Sequence, residues 1–266
     1  MIEVRHGSFG YKKQGLIFKD INFQLEKGDT LSILGPNGVG KTTLLKCLLG
    51  FLKLREGDIQ FCGQSIDDIN KKEFFKCVSY VPQAKSVVFP YSVLDMVLLG
   101  RSASISLHGK PSKWDMEKAI EAIEQVGISH LLHKPTNQIS GGELQLVLIA
   151  RSIVNNPEVL ILDEPESNLD MKNQLIILEL LENLKKDYNL TVIINTHYPN
   201  HALRLGGKSL IMGYGYIHQF GNTTEHITYE ALKQYFHVES KLVSWQDSSV
   251  SHQRIFPIGI IREALS

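Results

Sequence analysis

Residues 35–43 have the types and spacing of a loop that binds phosphate groups. The first eight follow the pattern G-x-x-x-x-G-K-[ST], with an apolar strand before them and a helix after them. In such a loop the backbone N–H groups turn inward, Lys41 reaches the β- and γ-phosphates, and the Thr42 hydroxyl is a ligand for Mg²⁺. The residues are Gly35, Pro36, Asn37, Gly38, Val39, Gly40, Lys41, Thr42 and Thr43. The sequence therefore predicts a site for a nucleoside triphosphate with Mg²⁺; a glycine-rich turn without a ligand is the alternative.

A second acidic element follows a second apolar strand. Residues 159–162 are Val, Leu, Ile and Leu, and Asp163 and Glu164 come directly after them. Parallel sheets bind ligands at the carboxyl ends of their strands, so we expect Asp163 to hold Mg²⁺, directly or through water, and Glu164 to face the γ-phosphate. There Glu164 would act as the general base for the attacking water. Capping of the next turn is the alternative for both carboxylates.

A serine and two glycines stand between these elements, before a helix predicted over residues 144–152. Ser140 is a typical N-cap residue, and Gly141 and Gly142 leave backbone N–H groups bare at the positive end of the helix. The arrangement predicts a second phosphate site. An ordinary capped helix start is the alternative, and for this pattern taken alone it is the interpretation we would favour.

In their order along the chain, these motifs resemble the ATP-binding subunit of an ABC transporter. The order is the phosphate loop, Ser140-Gly141-Gly142, the strand ending in Asp163 and Glu164, residues 167–170, and His197. The resemblance covers nearly the whole chain, and the combination of motifs is highly specific to this family. It implies that the nucleotide is ATP and that the protein hydrolyses it.

The resemblance also implies that two chains form a homodimer around two ATPs. In that arrangement Ser140 and Gly142 contact the γ-phosphate of an ATP held by the partner's phosphate loop. Asp170 matches the D-loop position, which couples the two sites across the dimer.

Three further residues match positions with roles in this family. Gln83, after the strand predicted at 77–81, matches the Q-loop glutamine that senses Mg²⁺ and water. His197 matches the histidine that hydrogen-bonds the γ-phosphate, and its place after the strand at 191–194 directs it to the same crevice as the two carboxylates. Tyr11 matches the aromatic residue that stacks on adenine. A turn position beside Pro82 is the alternative for Gln83, and packing on the core is the alternative for Tyr11.

Three residues depart from the usual pattern of the family. Ile139 replaces a leucine, Glu143 a glutamine, and Glu166 a threonine or serine. Glu143 would either weaken the γ-phosphate contact through its charge or cap the helix N-terminus. Glu166 would add a carboxylate near the catalytic pair. None of the three removes a catalytic group, so we expect hydrolysis.

The order of strands and helices predicts an α/β fold. We expect a P-loop NTPase core, with a mostly parallel sheet flanked by helices and an antiparallel β subdomain, plus an inserted helical subdomain. Apolar and polar residues alternate over 2–11 and 18–25, whereas helical periodicity dominates from 91 to 151. The predicted division is an ATP-binding core at 1–86 and 156–236, a helical subdomain at 87–155, and a short C-terminal extension at 237–266.

The composition limits the kinds of partner that we expect for this protein. Lys and Arg number 28, and Asp and Glu also number 28, so no overall charge attracts nucleic acid. No apolar run approaches the roughly 20 residues needed to cross a bilayer, and the N-terminal residues lack the apolar stretch of a secretory signal. The three cysteines are isolated and are interpreted as reduced thiols of a cytosolic fold.

Residues 89–101 are similar to the corresponding segment of ATPases from type II importers, which move iron–siderophore, haem, cobalamin or molybdate. Residues 229–243 and 254–257 are similar to their short C-terminal extension. The resemblance implies separate membrane permease subunits, a substrate-binding protein, and a peripheral position on the cytoplasmic face of the inner membrane. The alternatives are an ABC ATPase of another transporter, such as a free metal-ion importer or an exporter, and a soluble ABC ATPase without transport.

An apolar cluster after Gln83 is a candidate groove for the permease. Its members are Val87, Val88, Phe89, Tyr91 and Met96. Pro90 favours an extended chain there, and exposed aromatic residues in a loop often mark an interface. We expect Phe89 and Tyr91 to anchor the permease; burial in the core of the helical insertion is the alternative, because Val and Met at helical spacing are usually buried.

Overall fold

A computed structural model of the protein describes residues 1–12, 15–84, 90–102, 109–247 and 250–261. The chain divides into two compact units. The loop unit, Met1–Asp68 with Ile193–Ser266, contains the phosphate loop and His197. The helical unit, Ile69–Val192, contains Gln83, Ser140 and the Asp163–Glu164 pair. The division predicted from the sequence into core, helical subdomain and extension stays a prediction.

The described residues form both strands and helices, which are mixed along the chain. The strands are β1 (Ile2–Phe9), β2 (Phe18–Leu25), β3 (Thr30–Leu34), β4 (Glu56–Phe61), β5 (Gln64–Ser65), β6 (Val78–Val81), β7 (Val159–Asp163), β8 (Thr191–Asn195), β9 (Lys208–Met212), β10 (His218–Asn222), β11 (Val238–Asp247) and β12 (Val250–Ile260). The helices are α1 (Lys41–Leu48), α2 (Lys71–Cys77), α3 (Val93–Leu98), α4 (Lys113–Gln125), α5 (Gly141–Ile153), α6 (Met171–Tyr188), α7 (Pro199–Leu205), α8 (Thr223–His226) and α9 (Tyr229–Phe236).

The loop unit contains an antiparallel sheet and parallel pairing around β3. In the antiparallel sheet, β1 lies between β2 and β4, so that Ile2 is opposite both Leu25 and Phe61. Strand β9 pairs parallel with β3 and antiparallel with β10. All five residues of β3 are buried, as expected for a strand covered on both faces of a parallel sheet. The carboxyl end of β3 leads directly into the phosphate loop.

The C-terminal elements share a core with β3. Leu34 of β3 belongs to one buried cluster with Tyr235 of α9 and Ile255 of β12. The Asn200 side chain of α7 donates a hydrogen bond to the Ile255 carbonyl at 3.0 Å and accepts one from its N–H at 2.8 Å. The strand in front of the phosphate loop therefore shares a buried cluster with Ile255 of the C-terminal hairpin. The two strands of this hairpin, β11 and β12, pair antiparallel over nearly their whole length.

In the helical unit, β6 and β7 pair parallel, with Val78 opposite Val159 and Val81 opposite Leu162. Helices α3, α4 and α5 pack against one another beside them. Arg101 is buried among these helices, and its Nε donates to Asp115 Oδ1 at 2.9 Å. Pairing compensates for the removal of both charges from water.

Within the described ranges, no helix has the length and apolar character needed to cross a membrane.

Candidate nucleotide site

The phosphate loop has the backbone conformation that its glycines permit. Gly35, Gly38 and Gly40 have φ values of 146°, 84° and 104°, in a region that other residues rarely adopt. A Cβ atom on Gly35 would lie 2.2 Å from the Met212 carbonyl oxygen, so no side chain fits there. Helix α1 begins directly after Gly40, so the N–H groups of its first turn lie next to the loop.

Lys41 lies inside the curl of the loop. Its ammonium donates hydrogen bonds to the carbonyl oxygens of Gly35 and Pro36, both at 2.8 Å, and the residue is 5% exposed. A buried cation held by two loop carbonyls is placed where phosphate oxygens can replace them as partners. The next residue, Thr42, has its hydroxyl 3.5 Å from the side-chain amide of Asn195, the last residue of β8.

Tyr214 is a further contact of the phosphate loop that was not predicted from the sequence. It follows β9, and its hydroxyl donates to the Asn37 carbonyl at 2.9 Å. Because Asn37 lies on the exposed crest of the loop, this bond fixes a part that has little other packing. The two residues are 177 positions apart, and no sequence signal links them.

We expect Tyr214→Phe to raise the Kd for ATP about two- to fivefold, because a neutral hydrogen bond of an exposed side chain contributes about 0.5–1 kcal/mol. The aromatic ring stays, so only the hydroxyl is tested. Titration calorimetry with ATP measures the change. The matched control is Tyr216→Phe in the same turn, which should bind ATP as the wild type does. An equal effect of both variants would contradict this role of the Tyr214 hydroxyl.

Two more predicted residues belong to the loop unit. Tyr11 is 41% exposed, and its ring meets Phe9 edge-on at a centroid distance of 5.2 Å. It is therefore not packed into the core, and much of the ring is accessible to a ligand. His197 is half-buried, two positions after the end of β8. The preceding Thr196 donates its N–H to the Ile33 carbonyl of β3 at 3.1 Å, which brings this segment beside the strand that leads into the phosphate loop.

In the helical unit, Asp163 is the last residue of β7, and Glu164 begins the following turn. The Tyr80 hydroxyl of β6 donates to Asp163 Oδ2 at 3.3 Å. Burial, and after it the charge of Asp163, raises the pKa of Tyr80, so this hydroxyl keeps its proton and remains a donor. Glu164 has a φ of 49°, which is uncommon for a residue with a side chain. The Ser167 hydroxyl donates to Glu164 Oε2 at 3.0 Å and orients that carboxylate.

Ser140 is the N-cap of α5, as predicted. Its hydroxyl accepts the Glu143 N–H at 3.2 Å, and Glu143 Oε2 accepts the Ser140 N–H at 2.7 Å. These bonds form a capping box and lower the pKa of Glu143, mainly through the Ser140 N–H and then its side chain. Glu143 thus caps the helix, which is one of the two roles expected for it.

The glycines after Ser140 leave space that a neighbouring helix uses. A Cβ atom on Gly142 would lie 2.6–2.8 Å from the side-chain amide of Asn173. Asn173 is held in turn by Asp170, the N-cap of α6, whose carboxylate accepts both its backbone N–H at 2.8 Å and its side-chain N–H at 3.1 Å. Asp170 and Gly142 are thereby linked through one side chain within the same unit.

The predicted permease groove is corrected in part. Val87, Val88 and Phe89 lie outside the described residues. Tyr91 is 43% exposed, but Met96 is 5% exposed and belongs to the core. Met96 shares the buried face of α3 with Val93 and Val97, so its helical spacing reflects packing.

Two other residues named from the sequence, Glu166 and Gln83, also lie in the helical unit. Glu166 is buried, in the turn after β7. Gln83 is half-buried, two residues beyond the end of β6. Among the residues that the structure describes, no three His, Cys, Asp or Glu side chains form a metal-binding group.

Comparison with known proteins accounts for this combination of motifs. The sequence profile of the ABC transporter family matches residues 18–167. The chain is 38% identical to the molybdate import ATP-binding protein MolC of Haemophilus influenzae, over 89% of this chain and 88% of that protein.

Solved structures show the same relationship. A chain of an inward-facing ABC transporter assigned to the metal-chelate type is 36% identical, with a TM-score of 0.86 over 97% of both chains. A dimeric ATP-binding cassette in a post-hydrolysis state with ADP and phosphate is 25% identical, with a TM-score of 0.71 over 84% of this chain and 99% of that one. These matches confirm the predicted α/β fold with a P-loop NTPase core. The chain belongs to the ABC transporter family and is an ATP-binding subunit with ATPase activity.

Proposed function

We propose that this protein is the ATPase subunit of an importer for a metal chelate or a metal oxyanion such as molybdate. The observation that carries the proposal is the match to a transporter assigned to the metal-chelate type, which extends over 97% of the chain and so includes the C-terminal hairpin. MolC, a molybdate import protein, supports the same class of cargo. The cargo itself passes through other subunits.

ATP binds to the phosphate loop in this proposal, with adenine against Tyr11. The N–H groups of residues 38–43 and the Lys41 ammonium bind the β- and γ-phosphates. The loop geometry supports this role, because Lys41 is already held at the centre of the loop. Glu164 takes the proton of the attacking water, while His197 and Gln83 hold the γ-phosphate and the water in line.

The oxygen donors of the proposed site suit Mg²⁺. The Thr42 hydroxyl and the Asp163 carboxylate are hard ligands, and Mg²⁺ bound to a nucleotide needs only one or two protein ligands besides phosphate and water. The Tyr80 hydroxyl donates to Asp163 Oδ2 and so orients this carboxylate. Mg²⁺ held there would neutralise charge on the phosphate groups of ATP. Gln83, through its side-chain oxygen, would be a further residue that holds the metal.

The working form in this proposal is a homodimer attached to permease subunits. Ser140 and Gly142 of each chain contact the γ-phosphate of the partner's ATP, and Asp170 lies between the two sites. The dimeric cassette bound to ADP and phosphate supports such a dimer. The permease holds the dimer on the cytoplasmic face of the inner membrane, where exposed Tyr91 is a candidate contact. A substrate-binding protein delivers the cargo from the other side.

Purification from detergent-solubilised membranes tests the proposal. We expect the tagged subunit to co-purify with an integral membrane protein and the complex, in liposomes, to take up molybdate or a ferric chelate when ATP is supplied. Lys41→Ala is the matched control: it should still assemble but transport nothing. Efflux, or uptake of a free metal ion, would favour another transporter type. The absence of any membrane partner would favour a soluble ABC ATPase.

A further inference from the structure

Gln145 is a buried polar residue in an apolar part of α5. Residues 144–150 are otherwise apolar, and Gln145 is 1% exposed. Its side-chain nitrogen has no hydrogen-bond partner within the described part of the chain. Burying an amide without full hydrogen bonding is unfavourable, so its presence requires a compensating contact.

The side-chain oxygen of Gln145 makes such a contact, to the residue after Gln83. The Oε1 atom of Gln145 accepts the backbone N–H of Ala84 at 3.1 Å. Strand β6 ends at Val81, and Pro82 has no N–H, so the chain leaves its sheet ladder at this point. The Ala84 N–H would otherwise lack a partner from the ladder, and the Gln145 side chain supplies it.

Gln145 lies on the same helix that has Ser140 at its N-terminus. Ser140 is the N-cap of α5 and precedes Gln145 by five residues, which is about 7.5 Å along the helix axis. The same helix therefore has Ser140 at its N-terminus and, on its second turn, a side chain that is bonded to the backbone of Ala84, next to Gln83. We infer that Gln145 is a positioning residue for Gln83: it fixes the Q-loop backbone to the helix that presents Ser140. The inference rests on the proposed role of Gln83 in hydrolysis.

A double-mutant cycle with Gln83 tests the inference. We expect Gln145→Met to lower kcat about tenfold and to change the KM for ATP less than about twofold, because ATP is bound by other residues. In a Gln83→Ala background, the same change should have no further effect on kcat. A purely structural role would lower kcat in both backgrounds alike. Ser152→Ala is the matched control, because Ser152 lies on the same helix and reaches the Tyr80 carbonyl of β6 at 3.3 Å. We expect it to keep the wild-type rate.

Hydrogen exchange of the wild-type protein gives a second measurement that does not depend on the folding of a variant. The Ala84 N–H should exchange more slowly than an unprotected amide. An unprotected rate, or an equal loss of kcat from Gln145→Met in both backgrounds, would overturn the inference while leaving Gln83 in its role. A normal rate for Gln83→Ala would overturn the role of Gln83 itself, and the inference with it.

Discussion

Glu164→Gln is expected to lower kcat for ATP hydrolysis about 100-fold or more while leaving the Kd for ATP nearly unchanged. A general base contributes about 10²–10⁴ to the rate, and an amide cannot take a proton from water. The variant keeps the size of the side chain and an oxygen that can still accept the Ser167 hydroxyl, so the local geometry should persist. ATP that is bound but not hydrolysed should also hold the dimer together. Steady-state phosphate release and size-exclusion chromatography with ATP measure the two effects.

The neighbouring Glu166 provides a matched control for this experiment. It lies in the same turn, is buried, and has no proposed part in proton transfer. We expect Glu166→Gln to hydrolyse ATP within a few-fold of the wild-type rate. A rate near wild type for Glu164→Gln would exclude it as the base, and an equal loss in both variants would show that the charge of the turn matters instead of one carboxylate.

The elements that carry the motifs could be predicted from the sequence because burial leaves a clear pattern. Strands β3, β7 and β8 are buried at every position and appear in the sequence as short, mainly apolar runs, and glycine or charged residues bound the first two. The N-cap at Ser140 was predictable because its type and the following glycines act locally. Each of these signals lies within about ten residues of the feature that it predicts.

Contacts between distant residues left no such pattern. Tyr214 reaches Asn37, and Tyr80 reaches Asp163, across 177 and 83 positions of the chain. In the sequence the two tyrosines are ordinary residues of a turn and a strand. Which carbonyl or carboxylate their hydroxyls contact depends on the folded structure. The same holds for Asn173, whose place against Gly142 depends on how α5 and α6 pack.

The C-terminal hairpin was underpredicted for a different reason. Most residues of β11 are exposed, so no alternation of buried and exposed positions marks the strand. Ile255 of β12, by contrast, enters the core. Met96 shows the opposite error. This apolar residue was assigned to a surface groove but lies in the core, because helical spacing does not distinguish a residue that lines a groove from one that packs in the core.

Ser140→Asp is expected to lower kcat about 100-fold without disturbing the start of α5. Aspartate caps helices as well as serine does, so the helix should begin at the same residue. Its added charge would face the γ-phosphate of the partner's ATP, and a close pair of like charges costs several kcal/mol. Ser140→Asn caps equally well and adds no charge. It should therefore keep most of the activity.

Mixing variants then tests whether the site is shared between two chains. A Lys41→Ala subunit has a defective phosphate loop and an intact Ser140, whereas a Ser140→Asp subunit has the reverse. Their heterodimer contains one site in which both parts are intact, so its ATPase rate should exceed that of either variant alone. Two affinity tags isolate the heterodimer for this measurement. If a verified heterodimer is as inactive as its parents, Ser140 does not act on the partner's nucleotide; if Ser140→Asn is as inactive as Ser140→Asp, the hydroxyl and not the charge controls the rate.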